Sequence, residues 1–220
     1  ADGVARGHLT PGWLIAGAIN GGILMALGAK AMAQAVSAGG GQRDVVAFSA
    51  YFLSASEPGP VELRPDGLRV GRNFSTAQVS VLQDEAGSPV ERVRMLGTVA
   101  DLAATSEPVH RQQPPPSMPP PDGCIPTSMA PKELVGSIAI LQRLDIRIDP
   151  ATAGFGMGAP SGEGELRGWL RTVDDHVPDA AMLPFVLDAF PPVSFDLGAM
   201  AWAPTIEFSG HVRAVPAPGW

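Results

Sequence analysis

The chain has 220 residues, 45% of them hydrophobic and 17% charged, enough for one large domain or two small ones with a proper core and too apolar for general disorder. A formal charge of −7 and a pI near 5.0 exclude the basic surface that nucleic-acid binding needs. The single cysteine, Cys124, fits a reducing compartment, and the longest apolar stretch, Ile19 to Ala29, is too short and glycine-rich to span a bilayer, so a cytoplasmic protein is expected.

The first strong element is a helix. Trp13-Leu-Ile15 is a short apolar entry, and Asn20 is a good N-cap for the run to Val36, which is rich in Ala, Leu and Met. Only Lys30 and Gln34 interrupt its apolar surface, so the helix is expected to be covered on most sides. Gly21 and Gly22 weaken its first turn and require a reason. Either something binds at the free N–H groups there, or another element packs unusually close.

The glycine run Gly39–Gly41 ends this helix, and a row of strands follows. Val45 to Leu53 is one, and Val61 to Val70 is a second with a kink at Pro65-Asp-Gly67. Phe74 to Gln83 is a third, with Phe74, Val79 and Val81 at apolar positions. Asp84 to Gly87 turns the chain into a fourth, Val90 to Leu102. One buried helix followed by four antiparallel strands reads as a helix wrapped by a curved sheet. Residues 1–106 form this first unit.

Residues 107–131 read as a tether, because the prolines of 114–116 and 119–121 allow neither helix nor ladder. Residues 132–220 then repeat the theme. Leu144 to Ile148 and Glu165 to Arg171 read as strands. Asp179 to Phe190 reads as an apolar helix capped by Asp179, and Ala203 to Arg213 as a strand with Thr205, Glu207, Ser209 and His211 on one face. Asp188 is the lone acid at the end of the second apolar run. It either surfaces at the helix end or is held in a pocket for chemistry.

In order and spacing, several of these segments resemble the acyl-CoA thioesterase II-like family. Asn20-Gly-Gly-Ile-Leu-Met-Ala-Leu27 is similar to the entry of that family's first helix. Tyr51-Phe-Leu53, Gly71 to Thr76 and Val79 to Gln83 fit the strands behind it, and Leu183 to Asp188 with Ala203 to Glu207 fit the second half. The resemblance implies an α+β double hotdog, two long helices each wrapped by an antiparallel sheet, with the second copy incomplete at the C-terminus. It also implies hydrolysis of fatty acyl-CoA without a covalent intermediate. In the family an Asp, a Thr and a Gln hold the attacking water. Asp188 and Thr205 match the first two, with Asp179 a poorer second choice for the acid. The Gln has no position in these residues, since Gln78 and Gln83 belong to the first copy. Acyl-CoA is the expected partner, no cofactor is expected, and self-association into a homo-oligomer is left open.

Residue chemistry agrees with this in outline. Asn20, Gly21 and Gly22 could meet the thioester, while Met182 and Phe185, with Phe190 and Met200, could line an acyl tunnel or simply fill the core. No Gly-x-Ser-x-Gly elbow is present, and Cys124 has only His110 near it in sequence. His8, His110, His176 and His211 lack metal-ligand spacing, so no metal site is expected. His211 and Arg213 could touch a CoA phosphate or lie on a solvated strand face. The rival function is an acyl-CoA-binding protein that has kept the fold and lost the hydrolysis.

Overall fold

The computed structural model describes residues 3–37, 44–104, 113–130, 136, 138–174, 176–201 and 203–220. The glycine run at 39–41, the start of the tether at 107–112, Lys132 and His110 lie outside them. In chain order the strands are β1 (Ala5–Leu9), β2 (Leu14–Ile15) and β3 (Ala18–Ile19), followed by helix α1 (Gly21–Val36). Next come β4 (Asp44–Phe52), β5 (Gly59–Arg69), β6 (Ser75–Glu85) and β7 (Ser88–Ala100). The later elements are β8 (Ile125–Pro126), β9 (Leu144–Ile148), β10 (Gly168–Thr172), helix α2 (Met182–Leu187) and β11 (Glu207–His211). By packing, Ala1–Ser106, Pro178–Ala189 and Thr205–Ala217 form one unit, and Glu107–Val177, Phe190–Pro204 and Pro218–Trp220 form another.

The first unit is built on a six-stranded sheet ordered β1-β5-β6-β7-β4-β11, antiparallel throughout. Alternation decides which face is inner. In β6, Ser75, Ala77, Val79, Val81 and Gln83 are buried while the residues between them are not. α1 packs across that inner face against β4, β5, β6 and β7. Leu24, Met25 and Met32 of the helix meet Val79, Val93 and Met95 of the sheet, all at 2% exposure or less. Each such side chain removed from water is worth about 1.5–3 kcal/mol, so the apolar surface of α1 is what binds it to the sheet. Asn20 caps it as expected, its Oδ1 accepting the Ile23 N–H at 3.1 Å.

Three local expectations change. Phe74 is not a core residue; it precedes β6 and is 56% exposed. β5 is continuous through Pro65, and the kink expected over Pro65-Asp-Gly67 narrows to a register shift between Gly67 and Arg69. The second helix is six residues long, not twelve, and it packs on α1. Its end has a physical cause: the Asp188 N–H turns back to the Phe185 and Val186 carbonyls, and Phe190 precedes Pro191, which disfavours helical backbone there. β11 begins at Glu207, two residues after Thr205, and pairs antiparallel with β4 from Glu207 opposite Tyr51 to His211 opposite Ala47. Its Glu207, Ser209 and His211 share the exposed face.

The second unit has a three-stranded antiparallel sheet ordered β10-β9-β8. Leu144, Ile146 and Ile148 fill its buried side. The prolines at 114–116 and 119–120 carry no helix or strand, as their backbone dictates. Asp196 is fully buried in this unit. It accepts the Ser161 N–H at 2.9 Å, the Ser161 hydroxyl at 2.6 Å, and the N–H groups of Gly164 at 3.1 Å and Glu165 at 3.3 Å.

Candidate active site

The centre of the site is the N-terminus of α1. An α-helix leaves its first N–H groups without internal partners and carries a partial positive charge there. Here Asp188, from the turn that ends α2, is placed at that pole. Its Oδ2 accepts the Gly22 N–H at 2.8 Å and the Asn20 Nδ2–H at 2.9 Å, and its backbone carbonyl accepts Asn20 Nδ2–H at 3.1 Å. The second carboxylate oxygen, Oδ1, receives no hydrogen bond among the described residues. The Gly21 N–H likewise finds no acceptor among them.

The glycine pair is explained by distance. A β-carbon on Gly21 would stand 2.6 Å from the Phe52 ring and 3.3 Å from Asp188 Oδ2. One on Gly22 would stand 2.8 Å from the Phe185 carbonyl and 3.0 Å from the Asp188 β-carbon. Backbone oxygen cannot step aside as a flexible side chain can, so only glycine lets α2 approach α1 this closely. Phe185 is backed by Trp13, ring centroids 5.7 Å apart and nearly perpendicular, and the Trp13 carbonyl accepts the Asn20 N–H at 2.9 Å.

Burial raises the pKa of Asp188 above the ordinary carboxylate range, and the Gly22 N–H and the Asn20 amide work against that rise. A half-buried carboxylate with one bonded oxygen, one open oxygen and a raised pKa can accept a proton from water and return it.

The other expected residues fall as follows. Met182 and Phe185 are buried residues of α2, with the Phe185 ring against Trp13 and its carbonyl close to Gly22. Phe190 and Met200 belong to the other unit, where Phe190 packs against Gly168 and Met200 is exposed. Thr205 is exposed, and no hydrogen bond joins it to Asp188 among the described residues. Its neighbour Ile206 pairs with the end of β4, the Ile206 carbonyl accepting the Phe52 N–H at 2.9 Å, and the Phe52 ring lies against Gly21.

Asp179, the second choice for the acid, is fully engaged. One oxygen accepts the Met182 N–H at 2.9 Å, and the other pairs with Lys30 at 3.1 Å. That pair lines a depression of about 100 Å³, well short of the roughly 300–1,000 Å³ of ligand pockets. Gln83 is spent on the loop before β5, bonding Glu57 and Pro60 backbone. Among the described residues no three His, Cys, Asp or Glu side chains are grouped to hold a metal, and no helix is long and apolar enough to cross a membrane. Sequence reasoning missed Trp13 and Phe52 as walls of this site. Nothing in their local pattern signals it, because their partners lie far along the chain.

Comparison with known families agrees with this fold. Residues 9–100 match the acyl-CoA thioesterase N-terminal domain and residues 121–220 the acyl-CoA thioesterase C-terminal domain. The chain belongs to the acyl-CoA thioesterase II-like family. An uncharacterised protein of Mycobacterium tuberculosis is 29% identical over 235 residues, covering 99% of this chain and 78% of its own. A protein assigned as a thioesterase II from Thermobifida fusca superposes with a TM-score of 0.83 at 28% identity, over 100% of this chain and 78% of that one. A hot dog fold protein of Alicyclobacillus acidocaldarius matches with a TM-score of 0.77 at 18% identity, over 94% and 72% of the two chains, and carries the fold alone. The double-hotdog α+β class implied by the sequence is therefore the class of this chain.

Proposed function

We propose that this family member hydrolyses the thioester of fatty acyl-CoA, with Asp188 as the general base. Water held on the open Oδ1 attacks the thioester carbonyl carbon, and its proton passes to Asp188 as the new C–O bond forms. The tetrahedral intermediate then collapses, the C–S bond breaks, and Asp188 returns the proton to the departing CoA thiolate. The products are a free fatty acid and CoA. The Gly21 N–H, at the positive end of α1 and without a protein acceptor among the described residues, is the group suited to the developing oxyanion. Thr205 is the second holder of the water. The observation that carries this reading is the carboxylate at the helix N-terminus with one oxygen bonded and one open.

The test is release of free thiol from short-, medium- and long-chain acyl-CoA. Asp188→Asn keeps the shape and removes basicity, and it should cost roughly 10²–10⁴ in kcat with binding little changed. Activity that survives both Asp188→Asn and Thr205→Val would move the site elsewhere.

A second reading, acyl-CoA binding without turnover, is favoured by the exposure of Thr205, which leaves the water with one firm partner. Tight calorimetric binding of acyl-CoA with no thiol release by the wild-type chain would decide for it.

A further inference from the structure

Asn20 looks from sequence like a substrate contact, and its hydrogen bonds leave it little capacity for one. A primary amide offers two N–H donors on one atom and an acceptor on the other. In Asn20, Nδ2 donates to Asp188 Oδ2 and to the Asp188 carbonyl, while Oδ1 accepts the Ile23 N–H. The residue is 4% exposed. The amide has one admissible orientation, because turning it over would set oxygen against two Asp188 oxygens and NH₂ against an N–H.

We infer that Asn20 is a positioning residue for hydrolysis: it caps α1 with its oxygen and, with its nitrogen, ties both the side chain and the main chain of Asp188 to that cap, fixing the direction of the open Oδ1 and hence of the attacking water. The inference rests on the reading of Asp188 as base. It also explains why the cap is Asn. Ser, Thr and Asp cap as well, but Asp has no donor, and a hydroxyl is shorter and carries donor and acceptor on a single atom. Of the usual capping residues, only Asn can hold the helix with one atom and the acid with another.

The surroundings make this bond count. α1 has one charged residue, Lys30, which is paired with Asp179. Residues 182–187 of α2 have none, and β4 and the turn before β2 contribute the uncharged rings of Phe52 and Trp13. The ionised form of Asp188 is thus held by the Gly22 N–H and Asn20 against burial, with no cation assisting.

The experiment follows the NMR titration of isotope-labelled aspartate carboxyls in the wild type, Asn20→Ser and Asn20→Asp, with Asp188 assigned by its loss in Asp188→Asn. Asn20→Ser keeps a capping oxygen and loses the reach to Asp188. Its Tm should stay near wild type while the Asp188 midpoint rises by about one pH unit, the scale of one lost hydrogen bond to a charge. Asn20→Asp keeps both the shape and the cap oxygen, sets a second carboxylate against the first, and should move the midpoint further. With acyl-CoA as substrate, kcat of either variant should fall by roughly 10² while KM changes little. An unmoved Asp188 midpoint in both variants overturns the inference, and so does a loss carried by KM alone, which would make Asn20 a substrate contact. Absence of hydrolysis in the wild type would overturn the base reading instead, and the titration would still show whether Asn20 sets the carboxylate.

Discussion

Asp188 and Asp196 each close a short helical turn, and they behave in opposite ways. Asp196 collects four donors from residues 161–165, spread over both oxygens, and the Ser161 bonds first among them hold its pKa below the ordinary range. Asp188 collects two donors on one oxygen, burial outweighs them, and its pKa rises. The number and placement of donors decide whether a buried carboxylate is a fixture or a reagent. A fully bonded one holds a loop and gives up nothing. A half-bonded one is costly to keep ionised, and that cost is what readies it to take a proton.

The contrast breaks most sharply at Gly22. Gly22→Ala drives a methyl into the Phe185 carbonyl and the Asp188 β-carbon. Helix propensity would gain about 0.5–1 kcal/mol, but the overlap requires α2 to move off α1. Thiol release should fall roughly 10²-fold, and Asp188 should lose its upward shift as water enters; activity within threefold of wild type would show the acid does not depend on this approach.

The next test compares the two acids by pH. The folded pKa of Asp196 is depressed, so its contribution to stability is present above its unfolded pKa and is lost as pH falls through the folded value. The folded pKa of Asp188 is raised, so its contribution is present below its unfolded pKa and is lost as pH rises through the folded value. Asp196→Asn should therefore lower Tm at neutral pH by several degrees and less so in acid. Asp188→Asn should leave Tm unchanged or higher at neutral pH, with that advantage vanishing in acid. Thermal melts across pH check both signs, and parallel behaviour of the two variants would dissolve the distinction.

The smallest effect belongs to Lys30, whose pairing with Asp179 is half exposed. Lys30→Ala should cost about 0.2–1 kcal/mol in denaturant melts and leave activity intact, because it touches the far side of α2 from the carboxylate. A tenfold loss of activity would tie the start of α2 to the chemistry.

Much of this was legible in the chain itself. The cap at Asn20 and the Ala-, Leu- and Met-rich run after it specify α1 locally, and Val79 and Val81 mark β6 although the alternation from Phe74 to Gln83 is imperfect in sequence. Asp188 stood out as the one acid closing an apolar run. The reason for Gly21 and Gly22 was not legible, since both close approach and ligand binding ask for glycine, and the approaching residues lie on β4 and, more than 160 positions away, at Phe185 and Asp188. The length of α2 was overread because Phe190 looks like part of an apolar face, whereas Pro191 and the tight turn at Asp188 stop the helix first. Asp196 was not singled out, because its donors are the Ser161 hydroxyl and backbone N–H groups of residues 161–165, where no periodic pattern marks them.

The Asn20–Asp188 bond spans 168 residues, and β11 closes on β4 across a similar interval. Chains emerge from the ribosome at about 5–20 residues per second, so roughly ten to thirty seconds separate the birth of the cap from that of its acid. Over that interval the nascent helix and β4 face the cell with the Gly21–Gly22 turn uncovered and one strand edge open. Chaperone dependence and misassembly should concentrate in this window, since long-range closure is the slow part of folding. The arrangement that places a carboxylate on a helix pole thus also sets when, during synthesis, the first unit can close.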